Sequence, residues 1–388
     1  MTEQLEGSRG VANTVAACRP QVICAYPISP QTHIVEALSV LVKSGALPGC
    51  EYVNVESEFA AMSVAIGASA TGARTYTATA SQGLLYMAEA LFNASGLGLP
   101  IVMTVANRAI GAPINIWNDH SDAMSQRDSG WLQLYAESNQ DAADLHVQAF
   151  RLAEELSLPV MVCMDGFVLT HAFEPIDVPT SDEVAAYLPP FVPRQVLDPA
   201  DPVTIGAMVG PEAFTEVRYL AHRNHLRALD RIPELGREFT NVLGRPGVNL
   251  VAPYHADAET VVVALGSVLG TLKDTVDDLR AAGRSVGVLG ITTFRPFPFA
   301  AVRAALATAK RVVVLDRALA VGVGGVVSAD VATALAGTGV PWYTVIAGLG
   351  GRPVTRASLT ALLADVDGLD PLTFLDLDAQ LLATASER

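Results

Sequence analysis

Short apolar runs alternate with stretches of helical period along this chain from Gln21 onward. Gln21–Ala25 reads as a buried strand, and Tyr26-Pro27-Ile28-Ser29-Pro30 leaves it as an extended loop, because two prolines disfavour helix there. A helix is predicted from about His33 to Ser44, with Thr32 as its cap and Ile34, Leu38, Leu41 and Val42 on one face. Glu51–Val55 is the next strand. Glu58 to Thr71 follows as a helix whose side chains are mostly small (Ala60, Ala61, Ser63, Ala65, Gly67, Ala68, Ser69, Ala70), so another backbone is expected to pack close against it. Arg74–Thr79 and Pro100–Val105 are strands with a helix from Ser81 to Ala94 between them, and Leu158–Met164 closes the set. Strands alternating with crossover helices predict an α/β fold, a parallel sheet with helices on both faces.

From Glu174 to about Tyr254 the texture changes. Prolines from Pro175 to Pro202 mark a long ordered connector, not a βαβ unit, and Glu212–Leu243 reads as one or two helices rich in Arg and His. Such helices serve either as a solvated arm or as a clamp onto a partner subunit. A second α/β module then opens with the strand Thr260–Leu265, ending at Gly266-Ser267, and an amphipathic helix at Leu269–Ala282. Ser285–Leu289, Arg311–Leu315 and Trp342–Ile346 are further strands. The expected domains are 1–173, a connector over 174–254, and a smaller domain over 255–388. Most apolar runs give way to a glycine or polar residue at their carboxyl ends, where sites in such sheets lie.

Composition narrows the class. With 51 % hydrophobic and 17 % charged residues the chain can bury a large core, which excludes a disordered protein. A net charge of −15 with no basic patch argues against nucleic-acid binding. The stretch 90–106 is the most apolar, but Asn93, Ser95, Gly96, Gly98 and Pro100 break it, so no membrane insertion is expected. Met1 to Gly10 carries Glu3 and Glu6 and no apolar core, so no signal peptide and a cytoplasmic location are expected. Cys18, Cys24, Cys50 and Cys163 show no CxxC spacing, which argues for free thiols and against an iron–sulfur or zinc site in this chain.

The common catalytic signatures are missing. There is no GxxxxGK[ST], HExxH or GxSxG, and Gly322-Val323-Gly324-Gly325 lacks the GxGxxG spacing and reads as a tight loop. What remains is Glu58, placed between a strand end and a helix of small residues. A carboxylate in so dry and tight a setting can exchange a proton with a ring nitrogen, although a buried glutamate favoured by the helix dipole fits as well. Glu56 shares a face with Glu58 only if the strand runs on that far.

Here a resemblance adds to the residues. Glu58-x-x-Ala61…Gly67-x-x-x-x-Gly72, then Thr79-Ala80-Ser81-Gln82-Gly83, resembles the pyrimidine-binding domain of thiamine-diphosphate enzymes. The closer resemblance is to the alpha subunit of the 2-oxoacid:ferredoxin oxidoreductases, the pyruvate synthase group. It rests on ordered blocks: Tyr26-Pro27-Ile28-Ser29-Pro30-Gln31-Thr32, Glu56-Ser57-Glu58, Thr79 to Leu84, Ala106-Asn107-Arg108-Ala109, Asn118-Asp119-His120-Ser121-Asp122, Met164-Asp165-Gly166-Phe167…His171 and Phe294-Arg295-Pro296-Phe297-Pro298. It covers nearly the whole chain and implies a pyrimidine-binding domain followed by a smaller domain similar to the transketolase C-terminal one.

The resemblance implies roles. Glu58 would be the cofactor glutamate, bonding the aminopyrimidine ring and promoting its imino tautomer, with Pro27 and Ser81 also at the cofactor. Arg108 would pair with the substrate carboxylate, assisted by the hydroxyl of Ser29, where the family pattern more often has threonine. Asn118, Asp119 and His120 would form an active-site loop, or a simple loop cap. Asp165-Gly166 lacks the first glycine of the diphosphate-and-magnesium motif, because Met164 stands there. A beta subunit would then bring Mg2+ and share thiamine diphosphate, while [4Fe-4S] clusters and coenzyme A would sit on beta, gamma and delta-type partners, with ferredoxin as acceptor. The expected reaction is reversible, coenzyme A-dependent oxidative decarboxylation of a 2-oxo acid, with pyruvate first and 2-oxoisovalerate, an aryl glyoxylate or 2-oxoglutarate as alternatives. A transketolase or 2-oxoacid dehydrogenase type, or a non-catalytic interaction subunit, are the rival readings; the Tyr26–Pro30 block and the presence of both Glu58 and Arg108 weigh against them.

Overall fold

The computed structural model describes residues 2–386; Met1, Glu387 and Arg388, which end the first and last expected domains, lie outside the described residues. The chain opens with β1 (Glu3–Glu6) and α1 (Gly7–Ala17), then alternates β2 (Val22–Ala25), α2 (Thr32–Lys43), β3 (Glu51–Asn54), α3 (Glu58–Ala70) and β4 (Thr75–Thr79). Next come α4 (Ser81–Tyr86), α5 (Ala88–Leu97), β5 (Ile101–Asn107), α6 (Ser121–Ser125), β6 (Leu132–Tyr135), α7 (Asn139–Leu156), β7 (Val160–Asp165) and β8 (Phe173–Ile176). Then α8 (Ser181–Tyr187), α9 (Phe214–Leu226) and α10 (Ala228–Leu243) lead to β9 (Val251–Tyr254), β10 (Thr260–Ala264), α11 (Val268–Ala281), β11 (Val286–Ile291) and β12 (Thr293–Arg295). The last elements are α12 (Phe299–Ala305), β13 (Arg311–Asp316), β14 (Leu319–Ala320), β15 (Gly324–Gly325), α13 (Val326–Leu335), β16 (Trp342–Ile346), α14 (Arg356–Ala364), β17 (Leu372–Phe374) and α15 (Ala379–Ser386).

Two units divide the chain. The first takes in Met1–Ala252, Leu265–Ser267 and Ile291–Pro298. Its sheet has the order β12-β6-β7-β5-β4-β2-β3. All neighbours from β6 to β3 run parallel, and only β12 is antiparallel. From β2 the chain goes first to β3 on one side and then to β4 on the other, so the strand order reverses there. Open α/β sheets place their ligand crevice outside the carboxyl ends at such a reversal. Strands buried on both faces explain the largely apolar runs of β5 and β7, every residue of which is buried. The stretch 174–254 shares this unit's core: Tyr187, Ala228, Ile232, Leu235, Phe239 and Val248 belong to one cluster with Val11, Ile34 and Phe150.

The second unit takes in Pro253–Ala264, Val268–Gly290 and Phe299–Arg388. Its sheet has the order β17-β16-β13-β10-β11-β9, and β10, β11, β13, β16 and β17 pair in parallel. Val262, Val288, Val313 and Val345 pack with Leu272, Val276 and Leu359 as its core. The glycine-rich stretch at 322–325 closes the β14–β15 hairpin, as its composition suggests.

Three local expectations are corrected. Thr32 is the first residue of α2 and not its cap; Gln31 holds that place in helical conformation, with its amide spent on the backbone. The single helix expected over 81–94 is two, because the chain leaves helical geometry at Met87, whose side chain is fully buried. The close packing expected of α3 is met on the buried side formed by Ala61, Ala65 and Ser69, where the Cys24 thiol donates to the Ala61 carbonyl, whereas a Cβ added at Gly67 would touch nothing. The pattern above leaves out α1 and α7, the second capped by the Ser138 hydroxyl accepting from the Asp141 amide.

Candidate active site

The loop after β2 runs out over the switch point and is tied down from below. Gln31 is fully buried and its Nε2 donates to the carbonyls of Ala78 on β4, at 2.6 Å, and of Tyr26, at 3.2 Å. Pro30 is buried against Gly166, where an added Cβ would come within 2.5 Å of both Pro30 Cγ and the Asn107 carbonyl. Pro27 and Ser29 are left exposed at the rim.

Arg108 follows the carboxyl end of β5 and points back across the crevice. Its Nη1 donates to the Ser29 carbonyl at 2.8 Å, its Nη2 reaches Gln82 Oε1 at 3.4 Å, and its Nε reaches the Asn115 carbonyl at 3.4 Å. Burial pulls this guanidinium below its ordinary value, and the charge of Asp122 opposes the shift.

Asp122, at the start of α6, organises the strand ends. Its Oδ2 accepts from the amides of Ser81 and Arg108, both at 2.9 Å, and its Oδ1 accepts from Asn107 Nδ2 and the Ala123 amide, both at 2.8 Å. Burial outweighs these donors and pushes the carboxyl up to about 6. The Ser81 backbone is held in the left-handed region, φ 49°, and its buried hydroxyl, with one proton to give, lies between the Ala109 carbonyl, at 2.5 Å, and Gln82 Oε1. Asp122 is named in a sequence block but given no role there; nothing in the pattern shows that four donors converge on it.

Glu58 opens α3, with the Ser57 hydroxyl capping the helix at the Ala60 amide, 3.2 Å. The carboxylate is 8 % exposed and accepts no hydrogen bond from the described residues. It lies against α4: a Cβ added at Gly83 would be 2.7 Å from Glu58 Oε1 and 2.6 Å from Thr79 Oγ1, a buried hydroxyl that also has no partner among the described residues. A carboxylate with no donor among the described residues and an unsatisfied buried hydroxyl therefore converge where only a glycine fits. A neutral ring bearing its own donors would satisfy both. Glu56 is exposed, and β3 ends at Asn54, so the two glutamates share no strand face.

Asn118, Asp119 and His120 are all buried beside this region. Asp119 Oδ1 accepts from the Ser121 amide and hydroxyl, which is a loop cap. His120 Nε2 pairs with Asp165 Oδ1 at 2.6 Å, and Asp165 Oδ2 accepts from the Ser267 amide at 2.9 Å. Gly266, at φ 79°, lets this imidazole lie close, since a Cβ there would be 3.0 Å from two of its ring atoms. The Asn118 side-chain nitrogen has no partner among the described residues. The four cysteines are buried free thiols, and burial raises Cys50 to about 11 and Cys24 to about 12.

Known proteins match this chain at both units. Residues 13–237 match the family described as pyruvate flavodoxin/ferredoxin oxidoreductase, thiamine diP-binding, and residues 258–359 match pyruvate:ferredoxin oxidoreductase core domain II. The chain belongs to the pyruvate:ferredoxin oxidoreductase family. Within it, the chain is 50 % identical over 367 residues to pyruvate synthase subunit PorA of Methanosarcina barkeri, covering 93 % of this chain and 91 % of that one. It is 39 % identical over 366 residues to ketoisovalerate oxidoreductase subunit VorA of Pyrococcus abyssi, covering 93 % and 92 %. A solved structure of 2-oxoglutarate:ferredoxin oxidoreductase from Magnetococcus marinus shares the fold, with a TM-score of 0.67 at 20 % identity. The match covers 94 % of this chain, which spans 65 % of that longer chain. The thiamine-diphosphate-enzyme fold, the family and an oxidoreductase acting on 2-oxo acids all stand as the resemblance implied. Among the described residues no helix is long and apolar enough to cross a membrane.

Proposed function

We propose that this chain is the alpha-type subunit of a cytoplasmic 2-oxoacid:ferredoxin oxidoreductase whose substrate is pyruvate. The carrying observation is Glu58: a buried carboxylate without a hydrogen-bond partner, at a strand-order reversal, inside the segment matched to a thiamine-diphosphate-binding family. The convergence of Glu58 and Thr79 on Gly83 fits the aminopyrimidine half of that cofactor. When bound, thiamine diphosphate supplies the carbon nucleophile and the electron sink for decarboxylation.

The chain's own residues do the rest. Glu58 holds the ring and exchanges a proton at its carboxylate oxygens. Arg108 offers a guanidinium fork to the substrate carboxylate, with the Ser29 hydroxyl beside it on the rim. Asp122 positions Arg108 and Ser81 through their amides, and His120 is held by Asp165. Pro27 and the Ser81 turn complete the wall of the cofactor site.

Beta, gamma and delta-type subunits supply Mg2+, the diphosphate site, [4Fe-4S] clusters and coenzyme A, and ferredoxin accepts the electrons. Pyruvate is favoured over 2-oxoisovalerate because the PorA relatives are 41–50 % identical and the VorA relatives 38–39 %. The test is a panel of 2-oxo acids on the purified complex, with pyruvate expected to give the highest kcat/KM. A higher value for 2-oxoisovalerate, an aryl glyoxylate or 2-oxoglutarate would replace the substrate assignment. Turnover by the isolated chain with a dye acceptor would refute the division of labour.

A further inference from the structure

Glu6, His33 and His171 lie outside the machinery described above. The β1–β8 ladder sets Glu6 opposite Phe173, and the Gly7 amide donates to the Ala172 carbonyl at 3.0 Å. Ser8 holds the Thr170 carbonyl twice, through its amide at 3.0 Å and its hydroxyl at 2.7 Å. Only glycine allows this approach, because a Cβ at position 7 would lie 2.2 Å from the Leu169 carbonyl oxygen. Glu6 and His171 are thereby fixed side by side by backbone.

His33 comes from the first turn of α2 and completes the group. Its Nδ1 is 2.6 Å from Glu6 Oε1, and its ring centroid is 4.6 Å from that of His171. One ligand-grade atom from each of the three lies within 4.8 Å of the other two. His171 Nδ1 is 2.7 Å from Thr170 Oγ1, which leaves the other ring nitrogen for a ligand. A hydroxyl, carbonyl or carboxylate on the second nitrogen is what orients metal-bound histidines.

We propose that Glu6, His33 and His171 bind one divalent cation of the Zn2+ class. Two imidazoles and one carboxylate suit Zn2+, which takes mixed N and O ligands at about 2.0–2.2 Å, and do not suit Mg2+ or Ca2+, which require oxygen shells. Binding would draw the three ligand atoms in from their present spread of up to 4.8 Å, with the exposed His33 ring turning toward the ion, and water fills the fourth position. This revises the expectation that the chain holds no metal of its own, since that expectation considered cysteines. The site adjoins the crevice: the His171 ring packs at a tilt against Phe167, centroids 4.9 Å apart, Phe167 against Trp117 at 4.8 Å, and the Trp117 carbonyl accepts from the Ala109 amide beside Arg108.

The proposal does not rest on the assigned reaction and is tested by binding alone. The full chain is stripped with a chelator, dialysed against buffered Zn2+ and analysed for bound metal, with melting temperature followed in parallel. One Zn2+ per chain and a raised melting temperature are expected. His33→Ala and Glu6→Gln should each weaken binding by about 10-fold or more, while His222→Ala, an exposed histidine on α9, should leave it unchanged. Absence of stoichiometric Zn2+ on the wild-type chain overturns the proposal, as does wild-type affinity retained in both ligand variants.

Discussion

The Arg108 guanidinium and the Ser29 backbone carbonyl meet at 2.8 Å, although the residues are 79 positions apart. This bond ties the loop after β2 to the end of β5 across the crevice. It leaves Arg108 held by weaker contacts, at 3.4 Å, to Gln82 and Asn115. A substrate carboxylate can displace those more easily than it could break a paired ion.

Arg108→Lys keeps the charge and loses the fork, so substrate binding should weaken with affinity for thiamine diphosphate unchanged. Loss of one charge-assisted contact costs about 1.5–3 kcal/mol, roughly 10- to 100-fold in kcat/KM. Ser29→Ala should act in the same direction and less. A lowered melting temperature with unchanged KM would assign Arg108 to structure alone.

Glu58→Gln preserves volume at the start of α3 and cannot exchange a proton. A rate loss of roughly 10²-fold or more is expected in the assembled complex, with little change in melting temperature. C2–H exchange of bound thiamine diphosphate at the wild-type rate would remove Glu58 from the relay.

Gly83→Ala places a methyl 2.6 Å from Thr79 Oγ1 and 2.7 Å from Glu58 Oε1. The carboxylate must turn away, so thiamine diphosphate should bind less tightly and kcat should fall. Equilibrium titration of the cofactor with the variant complex checks this; wild-type affinity would show that Glu58 does not face the ring.

Asp122→Asn replaces one acceptor oxygen by a donor and strands two of the four N–H groups, costing about 1–3 kcal/mol each. Substrate KM should rise as Arg108 loosens. The pH effect has a definite sign. Because the folded carboxyl titrates near 6, above its ordinary value, the folded state takes up this proton more readily than the unfolded chain. The stability it contributes is complete below about pH 4 and is lost as pH rises through 6. Relative to the Asn variant, the wild-type melting temperature should therefore fall as pH rises from about 4 through 6; a constant difference would mean Asp122 does not titrate there.

The alternation of apolar runs and helical stretches sufficed for the α/β class, for the strands from Gln21 to Met164 and for the helix that begins at Glu58. Those features are local: burial on both faces demands continuous apolar strands, and loops at carboxyl ends demand proline, glycine and polar residues. Motif blocks were likewise enough to single out Glu58, Ser29 and Arg108. Tertiary structure alone decided what each side chain touches. The four donors on Asp122 come from three segments, the Glu6–His33–His171 group spans 165 positions, and the pairing of β12 with β6 brings Thr293 beside Leu134. Such contacts depend on strand order and crossover path, and neither leaves a periodic trace in the chain. Ser81 marks the same limit: as a residue type it offers a hydroxyl to a ligand, but the turn at φ 49° buries that hydroxyl against the Ala109 carbonyl, because the backbone amide is committed to Asp122.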